Sequence, residues 1–138
     1  MPNNLMKNNR VKVKVKKGSK SVSSRRWLER QLNDPYVIAA KKDGYRSRSA
    51  YKLIEINEKF NLFKKGQVVV DLGSAPGGWS QVARKLIGSS NKGKIVSIDI
   101  QDIEPIEGVA FIKGSIMDEE ILTLIKQKLI CKADLVIS

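Results

Sequence analysis

The 138-residue sequence contains no histidine and only one cysteine, Cys131. A structural zinc site needs several Cys or His ligands, so one cysteine cannot build it, and we expect no metal. The same two counts exclude an intrachain disulfide framework and catalysis by a histidine base. Cys131 is therefore interpreted as a small hydrophobic side chain without a chemical role.

Long apolar runs are also missing from the sequence. No stretch reaches the roughly 18 consecutive apolar residues that are typical of a membrane-spanning helix. The first twenty residues are polar and basic, without the apolar segment of a signal peptide. These absences predict a cytoplasmic protein without a membrane span, and we expect no membrane among its partners.

Positive charge is abundant and unevenly placed. The chain has 26 Lys and Arg against 14 Asp and Glu, a net charge of +12. Residues 1–48 hold 14 basic and 3 acidic residues, whereas residues 49–138 hold 12 and 11. A local excess of this size is typical of a surface that binds a polyanion. Nucleic acid is the leading candidate, an anionic membrane surface is the weaker one, and a solvated tail is the alternative without a partner.

The beginning of the chain is predicted to be an arm followed by helices. Residues 1–23 are interpreted as a basic disordered arm, because the alternation of Val and Lys over residues 11–16 has a strand period without a partner strand. Residues 24–138 are predicted to fold, with Ser23 or Ser24 capping a first helix. Asp34 and the proline after it predict the start of a second helix.

The rest of the chain alternates helices with short β-branched runs. Gly44 is predicted to end the second helix, and a third begins at residues 47–49. Strands and helices are then predicted at residues 68–70, 78–87, 95–99, 109–112, 118–129 and 135–137. This alternation is typical of an α/β fold with a doubly wound parallel sheet.

The loop after the first strand, residues 71–80, reads Asp-Leu-Gly-Ser-Ala-Pro-Gly-Gly-Trp-Ser. Open α/β sheets bind ligands at this position, at the carboxyl ends of their strands. Gly73 and Gly78 have the spacing of a P-loop, but Trp79 occupies the position of the essential lysine. The glycine spacing also differs from the dinucleotide fingerprint. A ligand without phosphate groups is therefore favoured.

Asp99 ends the second predicted strand. A carboxylate at that position can accept hydrogen bonds from a ribose diol. A glycine-rich loop combined with such an acid, and without phosphate recognition, favours S-adenosyl-L-methionine as the cofactor. The alternative is that the glycines serve only close packing of the strand and helix, and that Asp99 caps backbone groups.

Three segments together resemble the FtsJ (RlmE) family of 2′-O-ribose methyltransferases. They are Asn-Asp-Pro-Tyr-Val at residues 33–37, Gly-Tyr-Arg-Ser-Arg-Ser-Ala-Tyr-Lys-Leu at 44–53, and Val-Asp-Leu-Gly-Ser-Ala-Pro-Gly-Gly-Trp-Ser-Gln at 70–81. The resemblance implies a Rossmann-like methyltransferase fold with S-adenosylmethionine as cofactor. It also implies that the substrate is a ribose, that of a uridine, in 23S ribosomal RNA of the large (50S) subunit.

The resemblance also implies roles for individual residues. Lys52 matches the family's catalytic lysine, which acts with an aspartate and a second lysine to deprotonate the ribose 2′-hydroxyl. Ser115 stands where the family has an acidic contact near the adenine. The residues expected at the cofactor are Gly73, Gly77, Trp79, Asp99 and Ser115. The residues expected at the RNA are Arg25, Arg26, Lys41, Lys42, Arg46 and Arg48.

The family's catalytic aspartate and second lysine have no match among these 138 residues. We therefore expect the chain to be the amino-terminal portion of the methyltransferase domain, with four of the family's seven strands in the order 3-2-1-4, and to be inactive alone. The alternative is a module that binds RNA without catalysis.

Overall fold

The computed structural model describes residues 12–16, 18, 21–89 and 93–138. The chain divides into two compact units, Met1–Arg48 and Ser49–Ser138. The boundary between them falls where the sequence changes from strongly basic to nearly neutral. Among the described residues, no helix is long and apolar enough to cross a membrane.

The first unit contains helix α1 (Val22–Asn33) and helix α2 (Pro35–Asp43). The cap of α1 is Ser21, whose hydroxyl accepts the N–H of Ser24 at 3.2 Å. The predicted caps at Ser23 and Ser24 are wrong, because those residues already lie inside the first turn and only Ser21 has the extended backbone of a cap. Helix α1 therefore begins at Val22, two residues before the predicted boundary at residue 24.

Helix α2 has the termini that the sequence predicts. The carboxylate of Asp34 accepts the N–H of Tyr36 at 2.8 Å, and proline occupies the first helical position. Gly44 ends the helix with a left-handed backbone (φ 79°), a conformation that glycine adopts without steric cost.

Part of the predicted basic arm is described. Residues 12–16 form neither helix nor strand. Val13 exchanges two hydrogen bonds with the side chain of Asn33 (2.6 and 2.7 Å), and the N–H of Val15 donates to Glu29 at 2.9 Å. Side chains of α1 therefore satisfy backbone groups of this segment. The remaining part of the arm, residues 1–11, 17 and 19–20, lies outside the described residues.

The second unit is an α/β structure. In chain order its elements are α3 (Ser49–Phe60), β1 (Val68–Leu72), α4 (Gly78–Ile87), β2 (Lys94–Asp99), β3 (Val109–Lys113), α5 (Glu119–Leu129) and β4 (Leu135–Ile137). The four strands are parallel in the order β3-β2-β1-β4. The predicted fold class and strand order are confirmed.

The sheet is covered on both faces. One face carries an apolar cluster with α5, formed by Val70, Val96, Ile98, Ile112 and Ile125. Because neighbouring residues of a strand point to opposite faces, Asp71 and Ser97 lie on the other face, where α4 packs. Strands buried on both sides explain the continuous β-branched runs in the sequence.

Strand β1 lies between β2 and β4, so the chain order reverses at β1. In an open α/β sheet, the crevice outside the carboxyl ends of the strands at such a reversal is the usual ligand site. The loop after β1 is therefore placed where the topology favours binding.

Candidate functional site at the carboxyl edge of the sheet

The loop after β1, which we call the glycine loop (residues 73–77), is fixed to the end of β2. The N–H groups of Gly73 and Ser74 both donate to the carbonyl of Ile98, at 2.8 and 3.1 Å. Gly73 and Gly77 have left-handed backbones, with φ of 73° and 114°. A Cβ at residue 73 would have no atom within 4 Å. Gly73 is thus required by the backbone, and the space in front of it is open.

Asp99 joins the glycine loop to the turn that follows β2. One oxygen of its carboxylate accepts the N–H of Ala75 at 2.8 Å, and the other accepts the N–H of Gln101 at 2.9 Å. Each carboxylate oxygen has two lone pairs, so each keeps a second acceptor position. The carboxylate is oriented by the backbone and can still accept hydrogen bonds from a diol.

The loop after β3 meets the same edge. The N–H of Gly114 donates to the carbonyl of Asp99 at 2.9 Å. The next residue, Ser115, accepts the N–H of Met117 on its hydroxyl at 3.1 Å. Its hydroxyl proton remains as a donor. Ser115 therefore forms a capped turn beside Asp99 and offers a donor where the family resemblance implies an acid.

Trp79 connects the start of α4 to the start of α3. Its indole N–H donates to the carbonyl of Ser49 at 2.9 Å, so this group is committed to the protein and only the ring remains for a ligand. Lys52 is exposed and lies three residues after Ser49 on α3. Lys52 therefore lies within about one helical turn of the backbone carbonyl that Trp79 contacts.

Three buried polar side chains lie between α4 and the sheet and form hydrogen bonds with one another. The hydroxyl of Ser80 on α4 donates to Asp71 on β1 at 2.6 Å. Its oxygen is also paired with the hydroxyl of Ser97 on β2. Because the Ser80 proton is directed to Asp71, Ser97 is the donor in the second bond. These bonds link the first turn of α4 to two strands.

The electrostatics of Asp71 follow from its burial. Desolvation raises the pKa of this carboxyl above its usual value of 3.8, the hydrogen bond from Ser80 lowers it, and the charge of Asp99 raises it further. The net direction is upward. The negatively charged form is therefore less favourable in the folded protein than in water.

Ser74 leaves a polar atom without a partner. Its hydroxyl oxygen is buried and forms no hydrogen bond with any residue that the structure describes. Buried polar groups are nearly always paired, and an unpaired one costs free energy. A ligand with a polar group at the glycine loop would satisfy it.

The predicted RNA-binding residues lie in the first unit and differ in their surroundings. Arg48 forms an ion pair with Asp34, and its guanidinium lies 5.4 Å from the centre of the Tyr36 ring. Through this ion pair, Arg48 connects the segment after α2 to Asp34, the N-terminal cap of the same helix. Arg26, Lys41 and Lys42 are exposed, whereas Arg25 and Arg46 are half-buried.

Sequence reasoning missed two supporting contributions. It assigned no role to the network of Asp71, Ser80 and Ser97, although a serine inside a buried apolar strand was a visible signal. It also missed the carbonyl of Ser49 as the acceptor for Trp79, because no sequence pattern indicates which backbone carbonyl will face an indole.

Comparison with known proteins supports this description. The sequence model of the family described as "FtsJ-like methyltransferase" matches residues 45–138. Relatives from Brucella ovis and Brucella canis, both named ribosomal RNA large subunit methyltransferase E, are 52% identical over 129 residues, covering 93% of this chain and 54% of each relative. The chain thus spans about half the length of these curated relatives.

The chain is also similar to a solved structure. The crystal structure of a protein described as a ribosomal RNA methyltransferase from Plasmodium falciparum is 35% identical and has a TM-score of 0.58. The match covers 67% of this chain and 54% of that chain. The family model matches residues 45–138, which is more than half of this chain. The chain therefore belongs to the FtsJ-like methyltransferase family.

Proposed function

We propose that the protein takes part in S-adenosylmethionine-dependent 2′-O-methylation of a ribose, that of a uridine, in 23S ribosomal RNA. The observation that carries this proposal is Asp99, whose carboxylate is held between the glycine loop and the turn after β2. Family membership and the names of the relatives support ribosomal RNA as the substrate.

The residues at the carboxyl edge fit S-adenosylmethionine. Asp99 offers oriented acceptors for a ribose diol, and the glycine loop offers open space and the unpaired hydroxyl of Ser74. Residues 73–79 contain no Lys or Arg, which suits a cofactor without phosphate groups. The N-terminus of α4, which begins after Gly77, favours a carboxylate such as that of the methionine portion.

The cofactor, when bound, supplies a methyl group on a positively charged sulfur. The side chain that we assign to proton removal from the ribose hydroxyl is Lys52. An ordinary lysine is protonated at neutral pH and becomes a base only when burial or a neighbouring cation lowers its pKa. Lys52 is exposed, so we propose that its amine is open to the ribose of bound RNA.

We expect the 138-residue chain to bind the cofactor without completing methyl transfer. The resemblance assigns an aspartate and a second lysine to the same proton transfer, and no residue of this chain matches them. Lys52 would then be one member of an incomplete base group.

Isothermal titration calorimetry on the 138-residue chain tests the cofactor. We expect binding of S-adenosylmethionine and S-adenosylhomocysteine, and none of ATP or NAD. Lys52→Ala should bind the cofactor unchanged, because we place Lys52 at the ribose of the substrate. Preference for ATP or NAD would overturn the proposal. Transfer of labelled methyl groups to ribosomal RNA by this chain alone would overturn the expected inactivity.

The net charge of +11 on residues 1–48 favours a second candidate function, RNA binding without catalysis. The two candidates differ at the carboxyl edge of the sheet. RNA binding that depends steeply on salt, together with no binding of S-adenosylmethionine, would favour the second candidate.

A further inference from the structure

Trp27 is one of two tryptophans, and it lies on α1 with 54% of its surface exposed. Burying an indole ring is among the largest hydrophobic gains available to a small domain. Here more than half of that surface faces solvent. An exposed ring of this kind is available to a partner.

The surroundings of Trp27 form a shallow groove on one side of α1. Its lining includes Ser23, Ser24, Trp27, Leu28 and Arg30. Ser23, Ser24 and Arg30 lie three or four residues from Trp27, so these four residues share a helix face. The face combines an aromatic ring with hydroxyl groups and a guanidinium.

Helix α1 carries basic residues at the end where an isolated helix favours acidic ones. Arg25 and Arg26 lie near the N-terminus, and no acidic residue occupies the first turn. The N-terminal end of a helix carries partial positive charge, so cations there are unfavourable and anions are favourable. The acidic residue of the helix, Glu29, is engaged by the N–H of Val15. A polyanion along α1 would offset this accumulation of positive charge.

We propose that Trp27 stacks on an unpaired base of RNA, while Arg26 and Arg30 contact the neighbouring phosphates. This inference rests on the proposed function for its substrate class. Aromatic rings flanked by basic side chains are the common means of holding single-stranded nucleic acid. A helix that lies in a membrane surface instead presents a broadly apolar face, whereas the groove at Trp27 has one further apolar residue, Leu28, against Ser23, Ser24 and Arg30.

The test compares the affinity of variants of the 138-residue chain for a fluorescent ten-nucleotide oligouridylate and for a ten-base-pair RNA duplex. Trp27→Ala should weaken binding of the single strand about 10-fold, within the range for loss of one stacked base. Trp27→Phe should retain most of the affinity. Leu32→Ala, which truncates another exposed apolar side chain of α1, is the matched control and should have no effect.

Salt dependence separates stacking from charge. Trp27→Ala should leave the slope of log affinity against log salt unchanged, whereas Arg30→Ala should reduce it by about 0.7, the value for one phosphate contact on a single strand. Each variant is melted first to confirm that it folds. Equal binding by Trp27→Ala and the parent chain would overturn the inference, as would an equal loss on the duplex.

Two further measurements complete the test. Binding of phosphatidylglycerol vesicles in place of the oligonucleotide would also overturn the inference. Calorimetry with S-adenosylmethionine on Trp27→Ala keeps the two proposals separate. Unchanged cofactor binding with weakened RNA binding supports both, whereas stacking in a chain that binds no cofactor would support the inference and remove the methyltransferase function.

Discussion

The carboxylate of Asp99 accepts the N–H of Ala75, which lies 24 residues earlier in the chain, at 2.8 Å. The residue expected to hold a ribose therefore also fixes the loop expected to hold the rest of the cofactor. The two alternatives that the sequence left open for Asp99, ligand binding and backbone capping, are compatible in one side chain. Cofactor affinity and loop order should depend on the same carboxylate.

Asp99→Asn should weaken both properties. An asparagine has one oxygen acceptor, so it can accept the N–H of either Ala75 or Gln101 but not both. Losing one of these two hydrogen bonds costs about 1 kcal/mol, because the N–H of Ala75 is only part-buried and that of Gln101 is exposed. We expect that loss in urea unfolding and at least a 10-fold weaker binding of S-adenosylmethionine by calorimetry.

The matched control for that change is Asp102→Asn. Asp102 pairs with Lys113 at 2.8 Å, and both side chains are well exposed, so the pair contributes between about 0 and 1 kcal/mol. If the two variants lost stability and cofactor affinity equally, the role of Asp99 would be refuted.

Trp79→Phe should lower the free energy of unfolding, although the substitution keeps an aromatic ring at this position. The substitution removes the hydrogen bond from the indole to the carbonyl of Ser49, a contribution of about 1 kcal/mol. Thermal unfolding measures the loss. The same substitution at the exposed Trp27 should leave the melting temperature nearly unchanged. Equal shifts for the two variants would show that the Ser49 contact contributes nothing.

Gly73→Ala should be destabilising for a conformational reason alone. The backbone of Gly73 is left-handed, and an added methyl group would meet no atom within 4 Å. The left-handed conformation costs a non-glycine residue about 1–2 kcal/mol. Gly18→Ala, also at an open position but without a left-handed backbone, should show no such loss. Chemical denaturation of both variants gives the comparison.

Asp71→Asn should change how stability depends on pH. The pKa of Asp71 is raised in the folded protein by burial, so the folded state binds the proton more tightly than the unfolded state. The contribution of this group to the free energy of unfolding is fully present below pH 3.8, where the carboxyl is protonated in both states. It is lost as the pH rises through the raised pKa of the folded state, and it is absent at neutral pH. The asparagine variant lacks this dependence.

The measurement is the free energy of unfolding in urea, taken between pH 3 and pH 7 for the parent chain and for Asp71→Asn. We expect the stability of Asp71→Asn to increase relative to that of the parent chain as the pH rises. A constant difference across that range would mean that Asp71 does not titrate differently in the folded and unfolded states.

Much of the fold could be predicted from the sequence because its signals are local. Asp34 followed by proline and the terminal Gly44 define α2, and β-branched runs define the strands. The start of α1 could not be fixed, because three serines at residues 21, 23 and 24 are chemically equivalent caps. Only the backbone conformation at Ser21 distinguishes them.

The sequence predicts a glycine-rich loop after β1 and an acid at the end of β2, and the structure joins the two through the hydrogen bond from Ala75 to Asp99. The role of these residues in binding a cofactor stays a prediction. Contacts between distant segments were not predictable, because they depend on how helices and strands pack. The pairing of Ser80 with Ser97 and the burial of the Ser74 hydroxyl belong to this group.

The unequal division of charge between the two units has a consequence for how they respond to ionic strength. Residues 1–48 carry a net charge of +11, and residues 49–138 carry +1. Mobile ions screen exposed charges over about 8 Å at physiological salt, but they leave the short hydrogen bonds around Asp99 intact. A change in salt concentration should therefore change the attraction of residues 1–48 to a polyanion while leaving the geometry of the glycine loop unaltered.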